Sequence, residues 1–253
     1  MPVTIGCTAL PKRVARVAYF GQLDYFECNL WFNGPVKAAS WKRWVDDAAA
    51  VREERPDSGL LGVVAPMIIT HPLARGVATK WQVAPEDRPL LGHFRASGSS
   101  TRALDWFVSQ IEAPPVVVFP TPASFSPSAT NREALHAFFA ERGAAERFGG
   151  AVRVWQPAGL WDLQTALKTA TEAGVVLAWD PMGDPTTPPD VYETLEAEQI
   201  YWRLSGLGRS GPLSAGHLDQ LCALAEVREN SWFVFSSPDS WKDARRFSDA
   251  VGL

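Results

Sequence analysis

Short apolar runs rich in β-branched and aromatic residues recur along the chain, separated by longer segments of helical period. The runs fall at residues 3–8, 23–29, 60–65, 115–119, 151–155, 174–180, 199–204 and 230–235. Most are apolar on both faces, as parallel strands covered by helices should be. Between them, 36–54 places Trp41, Trp44, Val45, Ala48 and Val51 on one face and Lys42, Arg43, Asp46 and Asp47 on the others. That stripe predicts an amphipathic helix. Residues 101–111 repeat the pattern with Leu104, Phe107, Val108 and Ile111. Asn131 reads as the N-cap of a helix over 132–142, with Glu133 in its first turn. A helix over 161–173 stops at Gly174, and helices over 214–227 and 238–251 complete the series. A weaker helix is expected at 13–20 and a short one at 190–198.

Strand and helix alternate to the end of the chain, which predicts an α/β fold, a single (β/α)8 TIM-type barrel, and not a doubly wound sheet. The 253 residues suit one such domain over 1–253. One connection is long and irregular, 72–100, after the third strand. In a barrel it would lie on the C-terminal face, where active sites are built, and it is a candidate lid.

Composition narrows the class. With 46% hydrophobic and 21% charged residues the chain can bury a full core. A net charge of −4 argues against a broad nucleic-acid surface. The three cysteines, Cys7, Cys28 and Cys222, have no paired or metal-binding spacing and fit a reducing compartment. No secretory leader pattern opens the sequence and no apolar run is long enough to span a bilayer, so a cytoplasmic protein with no membrane contact is expected.

Chemistry in a barrel comes from strand ends and the loops after them. The second strand supplies Glu27 and Asn29 on one face, the fifth Arg153 and Trp155, and the seventh Tyr201 and Arg203. His71 follows the third strand and Asp180 ends the sixth. Glu27 reads either as a general acid or base, or as an ion-pair partner of Arg203 or Arg153 inside the barrel. A tightly paired Glu27 would be an acceptor before it was a proton carrier. Arg153 and Arg203 could share the mouth and fork onto a carboxylate or phosphate. His71 reads as a ligand-binding residue or as a strand cap, and Asp180 as a further ligand contact. No histidine cluster has metal-ligand spacing, so neither metal nor cofactor is expected.

Eleven tryptophans are a heavy load, and Trp31, Trp155, Trp161, Trp179 and Trp202 fall at or near strand ends. Trp155 could line the mouth, whereas Trp202 should pack under helices. The glycine-rich stretch 206–211 resembles a phosphate loop by composition only, and the serine-rich loop at 124–128 lacks a nucleophile-elbow pattern.

Taken in order, Ile5-Gly-Cys-Thr8, Phe26-Glu-Cys-Asn29, Ile69-Thr-His71, Val118-Phe-Pro-Thr-Pro-Ala-Ser-Phe125, Val152-Arg-Val-Trp-Gln-Pro157 and Tyr201-Trp-Arg-Leu-Ser-Gly206 resemble the YecE-like family. This is the bacterial domain of unknown function seventy-two. The resemblance spans nearly the whole chain and implies a TIM-type barrel with a pocket at the strand C-termini, but no settled activity. Distant kinship of such barrels to sugar isomerases and to an endonuclease has been suggested. Glu27, Asn29, Thr70, His71 and Arg203 fit the family's pocket positions. Val64 stands for a lysine, Pro120 for a glutamine, Ser205 for a histidine, and Ser236 with Ser237 for a pair of asparagines. The run Arg153-Val-Trp-Gln-Pro157 replaces Glu-Phe-Arg-His-Pro. The resemblance therefore implies a divergent member with half its polar pocket changed.

The leading expectation is a barrel that binds a small anionic or sugar-like metabolite through Arg203, Arg153, Glu27 and Asn29, with any turnover a hydrolysis or isomerisation at Glu27. The alternatives are a degenerate, non-catalytic barrel that binds a protein partner through tryptophan-rich loops around Trp31 and Trp81, and a metal-dependent nuclease.

Overall fold

The computed structural model describes residues 3–72, 77–111, 114–184, 186–206, 211–228 and 230–252. Eight parallel strands close into a barrel in sequence order: β1 (Val3–Cys7), β2 (Tyr25–Cys28), β3 (Leu60–Val64), β4 (Val116–Pro120), β5 (Val152–Gln156), β6 (Val176–Trp179), β7 (Tyr201–Leu204) and β8 (Ser231–Phe235). Every run expected as a strand is one. The helices between them are α1 (Arg16–Phe20), α2 (Ala38–Arg52), α3 (Met67–Thr70), α4 (Val77–Lys80), α5 (Gly98–Gln110), α6 (Ala129–Ala140), α7 (Leu163–Glu172), α8 (Pro189–Glu193), α9 (Ala215–Glu226) and α10 (Ser240–Ala250). No described helix is long and apolar enough to cross a membrane.

Helix starts follow local chemistry. Ser128 caps α6 by accepting from the Asn131 backbone N–H, so the expected cap at Asn131 moves three residues upstream. Asn131 sits one turn in and donates its side-chain amide to the Ser126 carbonyl. Asp162 caps α7 through Thr165, and Ser214 caps α9 in a reciprocal pair with His217.

The contacts group into two compact units. The first holds residues 1–28, 43–61 and 178–253, and the second 29–42 and 62–177. In the first, β2 and β7 are not sheet neighbours, yet Tyr25 and Glu27 of β2 meet Tyr201 and Arg203 of β7. Those four side chains therefore cross the barrel interior. Alternation then sends Trp202 outward, where it is buried edge-on against Tyr192 of α8. Gly6 of β1 pairs with Tyr25, and a Cβ at Gly6 would run into the Tyr25 backbone carbonyl.

In the second unit a phenylalanine cluster gathers at α6: Phe94, Phe119, Phe125, Phe138 and Phe139 are all buried, with Phe94 in ring contact with the other four. The stretch 72–100, expected to be irregular, is built over its described part from α4, a 3-10 turn (Pro85–Leu90) and the Ser97 capping box of α5. Asp87 fastens it by accepting from the Ser99 backbone N–H at 2.6 Å. Its tightest part is Gly92-His93-Phe94, with φ of +77°, +51° and +61°. Three left-handed residues in a row let the backbone N–H groups of Gly92, Phe94 and His93 satisfy the carbonyls of Ile68, Ile69 and Thr70 at the end of α3. Gly92 abuts the His71 backbone, leaving no room for a Cβ. Left-handed strain at His93 and Phe94 costs of order 1–3 kcal/mol each, so the surrounding packing has to hold it.

The close approach of β1 to β2 makes a sharp prediction. Gly6→Ala should lower stability by about 1–3 kcal/mol through overpacking against backbone. In thermal melts that is a fall of roughly 2–10 °C for a chain of this size. An unchanged melting temperature would contradict the register of these strands.

Candidate functional site

Glu27 is fully buried near the C-terminal end of β2. Arg203 grips its carboxylate with Nη2 on Oε1 at 2.9 Å and Nε within 3.2 Å of both oxygens. The Tyr201 hydroxyl donates to Oε2 at 2.7 Å and lies 3.0 Å from the Tyr25 hydroxyl. Both rungs follow from strand periodicity, since Tyr25 and Glu27 are two apart on β2, as are Tyr201 and Arg203 on β7. Burial, and then the Glu27 charge, push both tyrosine hydroxyls well above their ordinary range. Burial pulls Arg203 down, but the Glu27 charge and hydrogen bonds outweigh it and hold the guanidinium above its ordinary value. Of the two readings of Glu27, the geometry is that of an ion pair. Its partner is Arg203 and not Arg153.

The pair is asymmetric toward solvent. The Glu27 side chain is 1% exposed and that of Arg203 is 23% exposed. Among the described residues, Arg203 Nη1 has no hydrogen-bond partner. Asn29, just past the end of β2, is exposed. Asp180 closes the same end of β6, but its carboxylate is occupied. Oδ1 accepts from the backbone N–H groups of Met182 and Gly183, and Oδ2 from the Ser205 N–H and hydroxyl at 2.7 and 2.5 Å. The expected ligand contact at Asp180 is thus corrected to a clasp that ties the loop after β6 to the end of β7. Residues 207–210 of the glycine-rich stretch lie outside the described residues.

His71, Arg153 and Trp155 belong to the second unit. His71 caps α3 through its backbone N–H to the Met67 carbonyl, and its Nδ1 lies 2.8 Å from the Thr70 hydroxyl. Its ring stands edge-on to Phe32. Burial, and then the nearby His93, lower its pKa to about 4, so it is neutral at physiological pH.

Two expected mouth residues are not there. Phe119 and Trp155 are register partners on one side of the sheet, and Phe119 packs on Phe138 and Phe139 of α6. Trp155 therefore faces the helices, and Arg153, two residues away, does too. Arg153 donates to the carbonyls of Phe139, in the last turn of α6, of Gly143, past α6, and of Gly174, past α7. It is a cation on helix C-termini, not a ligand fork. Trp155 is fully buried between Phe125 and Trp161, with its N–H on the Thr121 hydroxyl. The phase of these residues was readable, but not which face it named. Trp31, which the protein-partner alternative would place at an exposed interface, is buried against Trp41 and Phe107. Trp81 rests edge-on to Trp106. Tyr25 is the residue that sequence reasoning missed. It sits in phase with Glu27, but an apolar run hides a tyrosine that carries a polar contact.

Among the described residues no group of three or more His, Cys, Asp or Glu is placed to hold a metal. No family model and no curated protein matches the chain. Solved structures do. A DUF72 family protein from Enterococcus faecalis superposes with a TM-score of 0.64 at 12% identity, covering 99% of this chain and 98% of that one. The IolI protein with a bound zinc atom gives 0.57 at 12%, over 99% and 96%. The catalytic domain of a β-amylase from Paenibacillus polymyxa gives 0.50 at 8%, over 96% and 94%. At these identities the likeness is one of fold, the TIM barrel.

Two predictions follow from the site's electrostatics. Arg203→Met strands a buried carboxylate and should cost about 3–5 kcal/mol in urea unfolding. Adding Glu27→Gln should recover much of that, because the double variant leaves no uncompensated charge. Simple additivity would mean the two groups do not interact. Separately, His71 binds a proton more weakly folded than unfolded. Its contribution to stability is complete above about pH 6.5 and is lost as pH falls toward 4. An NMR titration should place one imidazole midpoint near 4, and His71→Asn should flatten the stability slope in that window. A His71 midpoint near 6.5 would contradict this.

Proposed function

We propose that the protein binds a small anionic or sugar-like metabolite at the C-terminal end of the barrel, with Arg203 as the anion handle. The observation that carries this reading is the asymmetry of the buried pair. Glu27 holds one edge of the guanidinium, and the other edge is left toward solvent. A planar guanidinium fixed in direction suits the two oxygens of a carboxylate or phosphate, and its charge stays on at any working pH. In this reading Glu27 is first a positioning residue. Hydrolysis or isomerisation at Glu27 requires the ligand's own anion to draw Arg203 off the carboxylate, which leaves the base free only when substrate is bound. The resemblance to the YecE-like family and the fold shared with a DUF72 protein are consistent with a strand-end site.

The test is a thermal-shift screen against phosphosugars, uronates, nucleotides and divalent metals. A ligand at 100 times its dissociation constant adds about 2.7 kcal/mol, roughly 5–10 °C here. Arg203→Lys keeps a cation for Glu27 but loses the fork, so it should fold and lose the shift. A full shift in Arg203→Lys, or no shift with any anion, would overturn the assignment.

A further inference from the structure

The second unit carries a nucleophile and a base in contact. Ser124 is exposed, on the tight turn that follows β4, where the Phe125 N–H bonds back to the Pro122 carbonyl. Its hydroxyl lies 3.0 Å from His93 Nε2. We propose that Ser124 and His93 form a nucleophile–base dyad that transfers the acyl group of a small ester to water. This site is independent of the Arg203 reading, because the two share no residue.

Three features support the dyad beyond its distance. First, both partners are fixed by the same buried ring. Phe125, next to Ser124, is fully buried, stacks on Trp161, and touches both the His93 and Phe94 rings. Trp161 also donates its N–H to the Phe125 carbonyl, and Gly159 lies so close to Ala123 that a Cβ there would meet its backbone. Second, His93 and Phe94 are held left-handed, and Phe94 is anchored in the phenylalanine cluster with its carbonyl bonded by Arg142. Backbone strain of this kind, at consecutive non-glycine residues, gathers where a side chain must be aimed. Third, the imidazole is available as a base. Burial, and then the charge of Arg95, lower its pKa, which favours the neutral ring.

With Nδ1 carrying the proton, Nε2 accepts from the Ser124 hydroxyl. Oγ then forms a bond to the acyl carbon as its proton passes to Nε2. The ester C–O bond breaks, and the departing alkoxide takes that proton and leaves as the alcohol. Water attacks the acyl-serine, its proton passing to Nε2 and then to Oγ, and the carboxylic acid leaves.

A fluorophosphonate probe tests the first half of this cycle, forming a Ser124 Oγ–P bond with loss of fluoride. Incubation of the intact protein, followed by peptide mass spectrometry, should place one adduct on Ser124. Ser124→Ala should abolish it. His93→Asn, which tolerates the left-handed backbone, should slow it about 100-fold or more. Thermal melts should show both variants folded. Labelling of the native protein no faster than of the urea-unfolded protein would overturn the proposal. So would an adduct on another residue, or an unchanged rate in folded His93→Asn.

Discussion

A carboxylate buried inside the barrel, Glu27, constrains the first unit. Glu27 cannot stay charged there alone, because an isolated ion in a low-dielectric interior is strongly penalised. The β7 strand supplies the remedy from across the interior, as a guanidinium gripping both oxygens and a tyrosine hydroxyl on one of them. Satisfying Glu27 thereby fixes the direction of Arg203 and the position of the Tyr25–Tyr201 contact beneath it. Such a pair contributes little net stability compared with apolar packing, but it rejects alternatives in which either partner is left unpaired. The same geometry makes Arg203 a directed cation, which is what a binding site for anions needs.

In the second unit the equivalent constraint is apolar. Phe94 is seated among Phe119, Phe125, Phe138 and Phe139, and that seat forces the left-handed turn at Gly92-His93-Phe94. The turn in turn satisfies the end of α3 and sets His93 against Ser124. Burial of aromatic surface here offsets backbone strain that loop residues alone would not sustain. Both units thus use a buried interaction to aim a polar side chain.

Much of the fold was legible in the sequence, because parallel strands and amphipathic helices leave different periods. The strand runs at 3–8 and 230–235, for example, correspond to β1 and β8 within a residue. The site was only partly legible. Glu27 stood out as a charge in an apolar strand, and Arg203 was a candidate partner by phase. Arg153 failed because period two groups residues onto a face without saying which face is inside. The Phe119 register and the α6 contacts decide that, and both depend on tertiary packing. Asp180 failed for a different reason. Four donors from its own turn and from Ser205, just past β7, fill its oxygens, and three of them are backbone groups that carry no sequence signal. His93 and Ser124, 31 residues apart, meet through a side-chain hydrogen bond, and the left-handed turn that aims His93 includes Phe94, a bulky residue that disfavours that conformation.

Anion binding at this site requires Arg203 to be held by Glu27 while one edge of the guanidinium stays open. The most direct measurement is the 1H–15N spectrum of the arginine Nε–H groups, recorded while inorganic phosphate is titrated in. Arg203 should give a resolved, slowly exchanging Nε–H signal in the free protein, and phosphate should shift it saturably. A fast-exchanging Arg203 signal, averaged with those of surface arginines and unmoved by phosphate, would contradict both the pair and the site built on it.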